Sequence, residues 1–235
     1  MRLRAFLLLA AVACGPGAEA PSTPTPSIRS PIPAPTTTPP KPSFTGSIRP
    51  LTEIERAAMT GVSWHEGCPV PLEALRALEV TFWRFDGTAH DDGLLVVHAD
   101  AADALLDVFG ELFRIRYPFE RIEAVDAYGA DDNRSMEANN TSAFNCRLAT
   151  GSDSSWSEHA YGRAIDVNPI QNPWVPGSGP ILPPAGAEYA DRSNERPGMI
   201  LAGGDVVEIF ASAGWLWGGD WTSVKDYQHF SPSGR

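Results

Sequence analysis

The chain has 235 residues, 43% of them hydrophobic and 20% charged, enough apolar material for one sizeable core or two small domains. Lys+Arg 18 against Asp+Glu 29 gives a formal net charge of −11. That balance excludes a phosphate-backbone binder, so no nucleic-acid partner is expected, and it is equally poor for docking on anionic lipid headgroups.

Residues 1–13 read MRLRAFLLLAAVA: two arginines, an apolar run from Ala5, then small residues directly before Cys14. This is the layout of a secretory signal peptide, and the run is too short to span a bilayer. Ala11-Val12-Ala13-Cys14 resembles a bacterial lipobox, in which the cysteine is acylated and becomes the new N-terminus. The expectation is a lipoprotein on the outer face of the cell membrane, touching the bilayer only through a lipid anchor at Cys14. Ordinary cleavage nearby is the alternative.

Of the 22 prolines, 11 lie between Cys14 and Pro50. Residues 15–50 are Pro/Thr/Ser-rich with few large apolar side chains, so a disordered or polyproline linker is expected there. At about 3.1 Å per residue it would reach on the order of 110 Å when extended. Residues 51–235 are then the folded domain.

Thr52-Glu53-Ile54-Glu55 has capping-box spacing and predicts a short helix to about Met59. Leu72, Leu75 and Leu78 suggest a second helical stretch after Pro71. Val80–Phe85 and Leu94–His98 read as strands joined in a hairpin by the Gly/Asp-rich segment between them. Asp100 can cap a helix through about Phe113, with Ala101, Leu105, Val108, Phe109 and Leu112 on one face. Ile122–Tyr128 looks like a strand, and Asp205 can cap a helix from Val206 to Ala213 that Gly214 stops. Strands and helices mix without regular βαβ alternation. The expected class is α+β, a monomeric single domain whose central, mainly antiparallel sheet is flanked by helices.

If Cys14 carries lipid, Cys68 and Cys146 remain as an even pair, able to form one disulfide in an oxidising compartment. Two buried thiols are the alternative.

The stretch that carries chemistry is Ser157-Glu158-His159-Ala160-Tyr161-Gly162-Arg163-Ala164-Ile165-Asp166-Val167-Asn168. His159 and Asp166 would fall on opposite faces of a continuous strand, but a turn at Gly162 lets both face one site, with Ile165 and Val167 directed at the core. Near the end of the sequence, Gly214-Trp215-Leu216-Trp217-Gly218-Gly219-Asp220-Trp221 is followed by Asp226-Tyr227-Gln228-His229. His229 can complete a His, Asp, His set, and three N/O ligands with an open fourth position describe catalytic zinc. Such a site needs a base for the attacking water, and Asp226 stands three residues before His229. His65, His90 and His98 lack ligand-like spacing. Trp215, Trp217 and Trp221 alternate so that they can line a substrate groove or pack beneath it.

SxHxxGxAxD followed by a C-terminal (D/E)xxH resembles the zinc peptidases that cut peptidoglycan stems: VanY-type D-alanyl-D-alanine carboxypeptidases and phage L-alanyl-D-glutamate endopeptidases, which share a metal-site fold with hedgehog proteins. The similarity extends to Asn139–Arg147, to Asn168-Pro169 and to the Trp/Gly-rich stretch. The resemblance implies an exported enzyme acting on peptidoglycan peptides with one Zn²⁺ per chain in a surface groove. It implies His159, Asp166 and His229 as ligands and Asp226 as acid/base, and it points to Ser157 and Trp217 as substrate contacts. The family also uses an arginine from a GYR-like motif that is missing here. Tyr128-Gly129-Ala130-Asp131-Asp132 occupies its usual place, and Arg147 is the substitute, with Arg134 and Arg163 as rivals. A metal-containing module that binds wall peptides or a partner without cutting them is the alternative function. Asn140 and Ser142 are expected to border the cleft.

Overall fold

The folded part of the chain begins inside the stretch expected to be linker. The computed structural model describes Gly17 and residues 41–235; the expected signal peptide, Cys14 and the remainder of the linker through residue 40 lie outside the described residues. Gly46–Pro50 forms strand β1, antiparallel to Leu75–Arg84 (β2) with Ile48 opposite Leu78, so the linker boundary at Pro50 is corrected. Proline density conceals a strand whose Ile48, with Phe44 before it, packs on the core, while Arg49 bridges Glu55 and Glu79 at 2.7 and 2.8 Å. Hydrogen bonding to Arg49 holds the Glu55 carboxyl down at about 2.

Helix α1, Glu53–Met59, has the expected capping box: Thr52 Oγ1 accepts from Glu55 N–H, and the Glu55 carboxylate accepts from Thr52 N–H. The helix expected over Leu72, Leu75 and Leu78 is corrected. Only Leu72–Ala74 forms a 3₁₀ turn, and Leu75 opens β2. Along β2, Leu75 and Ala77 join one buried cluster while Leu78, Val80 and Phe82 join another. A strand covered on both faces carries apolar residues at every spacing, three included, so periodicity misleads there.

The hairpin is longer than its apolar centres: β2 pairs antiparallel with Ala89–His98 (β3), Leu78 opposite Leu95. Helix α2, Ala99–Arg114, follows directly. Its N-cap is His98, whose ring accepts from Asp100 N–H, rather than Asp100 itself. Leu105, Val108, Phe109 and Leu112 pack on Leu78, Val80, Leu95 and Val97. At about 1.5–3 kcal/mol for each large apolar side chain buried, this seam dominates the favourable side of folding. The opposite face of the sheet is closed by Leu51, Met59, Leu72 and Phe144.

Pro118–Phe119 (β4) runs parallel to the end of β2. The strand expected over Ile122–Tyr128 is corrected: Arg121–Ile122 (β5) is its only extended part, and Val125–Tyr128 is a 3₁₀ turn that buries Val125 and ends on Gly129 at φ 69°. Helix α3, Asp132–Glu137, precedes Asn140–Thr141 (β6), the parallel partner of β5. Ile165–Asp166 (β7) and Trp174–Val175 (β8) come next, then α4, Asp205–Ser212. Asp205 lies in the first turn of α4 with Gly204 at the cap, and Gly214 at φ 79° ends the run as expected. Leu216–Trp217 (β9), Lys225–Asp226 (β10) and His229–Ser231 (β11) complete the elements. The class is α+β, with mostly antiparallel pairing. Among the described residues no helix is long and apolar enough to cross a membrane.

Cys68 and Cys146 form a disulfide with their Cα atoms 5.9 Å apart. It joins the loop after α1 to the chain immediately before Arg147.

Candidate metal centre

The centre is assembled by three short elements around one antiparallel ladder. Ser157 Oγ accepts from His159 N–H at 3.3 Å and caps the 3₁₀ turn Glu158–Tyr161, which places His159. Gly162, at φ 67°, ends that turn; a Cβ there would stand 2.7 Å from His98 N, so both the backbone angle and the space require glycine. The chain then enters β7, which pairs with β11 so that Asp166 faces His229 and Ile165 faces Phe230. One ladder therefore sets two polar side chains side by side and roots them in the core, where Ile165 and Phe230 are fully buried.

His159 Nε2 lies 3.0 Å from Asp166 Oδ2, His229 Nδ1 lies 3.2 Å from Asp166 Oδ1, and the two nitrogens are 3.3 Å apart. All three side chains are buried. Zn–N and Zn–O bonds of about 2.0–2.2 Å in a tetrahedron put ligand atoms about 3.3 Å apart, and here one ligand atom from each residue lies within 4.8 Å of the others, so this triangle of side chains could hold a metal ion. The remaining imidazole nitrogens meet backbone carbonyls: His159 Nδ1 reaches Ala143 O at 2.6 Å and His229 Nε2 reaches Arg235 O at 2.7 Å. Such partners fix which nitrogen is free to coordinate. Neither carbonyl has a side-chain signature in the sequence.

Burial alone would push the Asp166 carboxyl up, but His159 first and then His229 hold it well below the usual carboxylate range. His229 is raised: burial opposes its charge, and the hydrogen bond and charge of Asp166 overcome that. Asp226 behaves oppositely. Burial first, and the Asp166 charge second, raise its carboxyl to about 7. It sits on β10, paired with Trp174 of β8, and its Oδ1 is buried without a hydrogen-bond partner. An orphaned carboxyl raised toward neutrality beside a ligand triangle has the chemistry of a group that exchanges a proton with something bound there.

The triangle opens into a cleft of about 780 Å³ that Asp226, Arg147, Ser157 and Trp221 also line. Arg147 is brought to this wall by the disulfide next to it and held by Asp132 at 2.9 Å. Asp132 ends the very segment that stands where the GYR-like motif was sought. Of the rival arginines, Arg163 lines the cleft but is paired with Asp100, whereas Arg134 lies exposed on α3, away from the cleft lining.

Two expectations are corrected. Trp217 is not at the cleft: it is buried in the main core on β9, with its indole N–H donated to Tyr227 O at 2.8 Å. The turn Gly218–Asp220 separates it from Trp221, which does face the cleft together with Trp156 and Trp174, neither of which the sequence reading singled out. Asn140 and Ser142 are scaffold rather than cleft. Asn140 Nδ2 donates to Glu123 O, and Ser142 exchanges backbone hydrogen bonds with Asp166 at 2.9 and 3.1 Å.

None of the curated proteins compared, and none of the solved structures, matches the chain. Residues 150–232 match the model of a family described as D-alanyl-D-alanine carboxypeptidase. That span, about a third of the chain, contains His159, Asp166, Asp226 and His229, and over it the chain is similar to a family of peptidases.

Proposed function

We propose that the chain is an exported zinc peptidase that hydrolyses peptide bonds of peptidoglycan stem peptides, of the D-alanyl-D-alanine carboxypeptidase or L-alanyl-D-glutamate endopeptidase type. The observation that carries this reading is the His159–Asp166–His229 triangle with the partnerless Asp226 carboxyl beside it. His159 Nε2, Asp166 and His229 Nδ1 would hold one zinc ion. The bound ion would supply Lewis acidity toward water and toward the scissile carbonyl.

The chain's own groups do the rest. Asp226, raised to about 7, takes the proton from the attacking water and returns it to the leaving amine, a cycle suited to neutral pH. Arg147, fixed by Asp132, presents a cation at the cleft wall to the carbonyl oxygen as it gains charge, or to a substrate carboxylate. Ser157 borders the cleft while capping the turn that carries His159. Export and a lipid anchor at Cys14 belong to the same proposal and are supported by the leader-like sequence of residues 1–13, the Pro-rich stretch after it and the Cys68–Cys146 disulfide, which suits an oxidising compartment.

The test is mass spectrometry of defined muropeptides incubated with the zinc-loaded chain, with and without a chelator. A chelator-sensitive product whose lost mass names the bond is expected. Intact muropeptides, with one zinc per chain verified, would refute the wall-peptide reading and leave the non-catalytic binding module or a peptidase of other substrates.

A further inference from the structure

We infer that Pro232–Arg235 is a positioning element for the candidate metal centre, which selects the nitrogen that His229 offers to the metal. This rests on the metal reading above and adds residues that reading does not use; the family match stops at residue 232.

An imidazole presents one nitrogen to a metal only if the other is committed as a donor, and an uncommitted ring must first choose a tautomer and an orientation. The commitment of His229 is made by a backbone atom, the Arg235 carbonyl, 2.7 Å from Nε2. A backbone acceptor is only as well placed as the turn that holds it, and here three independent devices hold the turn. Ser231 lies two residues after His229 on β11, hence on the same side of the strand, and its hydroxyl donates to Arg235 O at 2.9 Å while accepting from Arg235 N–H at 3.1 Å. Gly234 takes φ 69°, in the left-handed region that favours glycine, and donates its N–H to Ser231 O at 3.3 Å. Trp221 donates its indole N–H to Gly234 O at 2.8 Å, with its ring centroid 5.6 Å from that of His229.

The Ser231 hydroxyl holds the Arg235 oxygen directly, the other bonds hold the turn that carries it, and that oxygen faces the ring nitrogen of His229 that the ligand triangle leaves over. Ser231 is fully buried, so its hydroxyl is committed to this task rather than shared with solvent.

The test uses the full chain with three variants: Ser231→Ala, which removes both hydroxyl contacts to Arg235; Trp221→Phe, which removes the hook on Gly234; and a chain lacking residues 234–235. Zinc affinity is measured by competition with a chromophoric chelator. Visible spectra of the cobalt-substituted protein report ligand geometry, and melting of the metal-free protein reports structure alone. The expected result is a zinc dissociation constant raised 10- to 100-fold by Ser231→Ala and by the truncation, the size usual for lost outer-shell partners, with altered cobalt bands and unchanged metal-free melting. Trp221→Phe should show a smaller change of the same kind. Zinc binding as tight in the truncated chain as in the unaltered one would overturn the inference. Failure of the unaltered chain to bind zinc would instead overturn the metal reading, and this inference with it.

Discussion

Gly218→Ala isolates the position of the proposed base from its chemistry. Gly218 opens the turn after β9, and its backbone is not in the left-handed region, so alanine meets no conformational penalty there. The obstacle is space alone: a Cβ would lie 2.6 Å from Asp226 O, 3.0 Å from Asp226 Cβ and 3.3 Å from His229 Cβ. Carbon–oxygen contacts settle at about 3.3–3.6 Å, so β10 must retreat by roughly 0.7 Å or more. Catalytic groups tolerate about 0.5 Å of misplacement, and about 1 Å costs on the order of 100-fold. The expected loss in kcat/KM is therefore about 10- to 100-fold, or roughly 1.4–2.7 kcal/mol of transition-state stabilisation. Zinc stoichiometry should survive, because the new methyl group is aimed at the Asp226 main chain rather than between the ligand atoms. The assay is steady-state hydrolysis of a defined stem peptide, with bound zinc and circular dichroism measured on the same preparation. A folded, zinc-loaded Gly218→Ala chain with undiminished kcat/KM would refute the claim that the placement of Asp226 matters.

Asp226→Asn keeps the shape and removes the base: turnover should fall by about 10²- to 10⁴-fold with zinc still bound, and undiminished turnover would exclude the assignment. In the metal-free chain, Asp226 and His229 both hold protons in the folded state that the unfolded chain would release. The Asp226 share of stability is fully present below its ordinary value of 3.8 and is lost as pH rises through about 7, that of His229 is lost as pH rises above its ordinary 6.5, and that of Asp166 is present above 3.8 and lost as pH falls below it. Melting midpoints without metal should thus fall across this window and the fall should shrink in Asp226→Asn, whereas the stabilisation added by zinc should grow with pH; a metal-free midpoint that climbs throughout would contradict this. Replacing Cys68 and Cys146 by serine should cost about 4 kcal/mol on a loop-entropy basis for a separation of 78 residues, measured by denaturant unfolding against the oxidised parent. Phe230→Ala removes the ring stacked 3.8 Å from that of Phe210 and should cost about 3–5 kcal/mol, weakening zinc binding alongside; a loss of stability without any loss of zinc would uncouple the ladder from the core.

The meeting of His159, Asp166 and His229 was legible because coordination would demand such side chains at a spacing that one glycine turn resolves, and both the side chains and Gly162 are visible as letters. Asp226 was legible for the same reason. What stayed hidden was carried by backbone atoms or by burial: the carbonyls of Ala143 and Arg235 have no residue type, and Trp217 and Trp221 differ only in the turn between them. In the fold, α1 was readable from its capping box, and α2 because one of its faces is wet and the other dry. The centre of β2, dry on both faces, mimicked a helix, and β1 was lost in a proline-rich composition although Phe44 and Ile48 already marked a dry side. Arg147 was reachable only by elimination until Asp132 was seen to hold it.

The pairing of β7 with β11 also limits how this gene segment can change length. Along each strand, residues alternate between cleft and core, so His229 and Phe230 are neighbours in sequence yet belong to different environments. Adding or deleting one codon in β11 would swap them, setting a phenyl ring against Asp166 and an imidazole into the hydrocarbon interior. Two codons would restore the facing but move the whole tail past its anchor. Length variation in relatives of this chain should therefore collect in the connections, such as residues 176–198, and spare both strands and the seven-residue interval from His159 to Asp166.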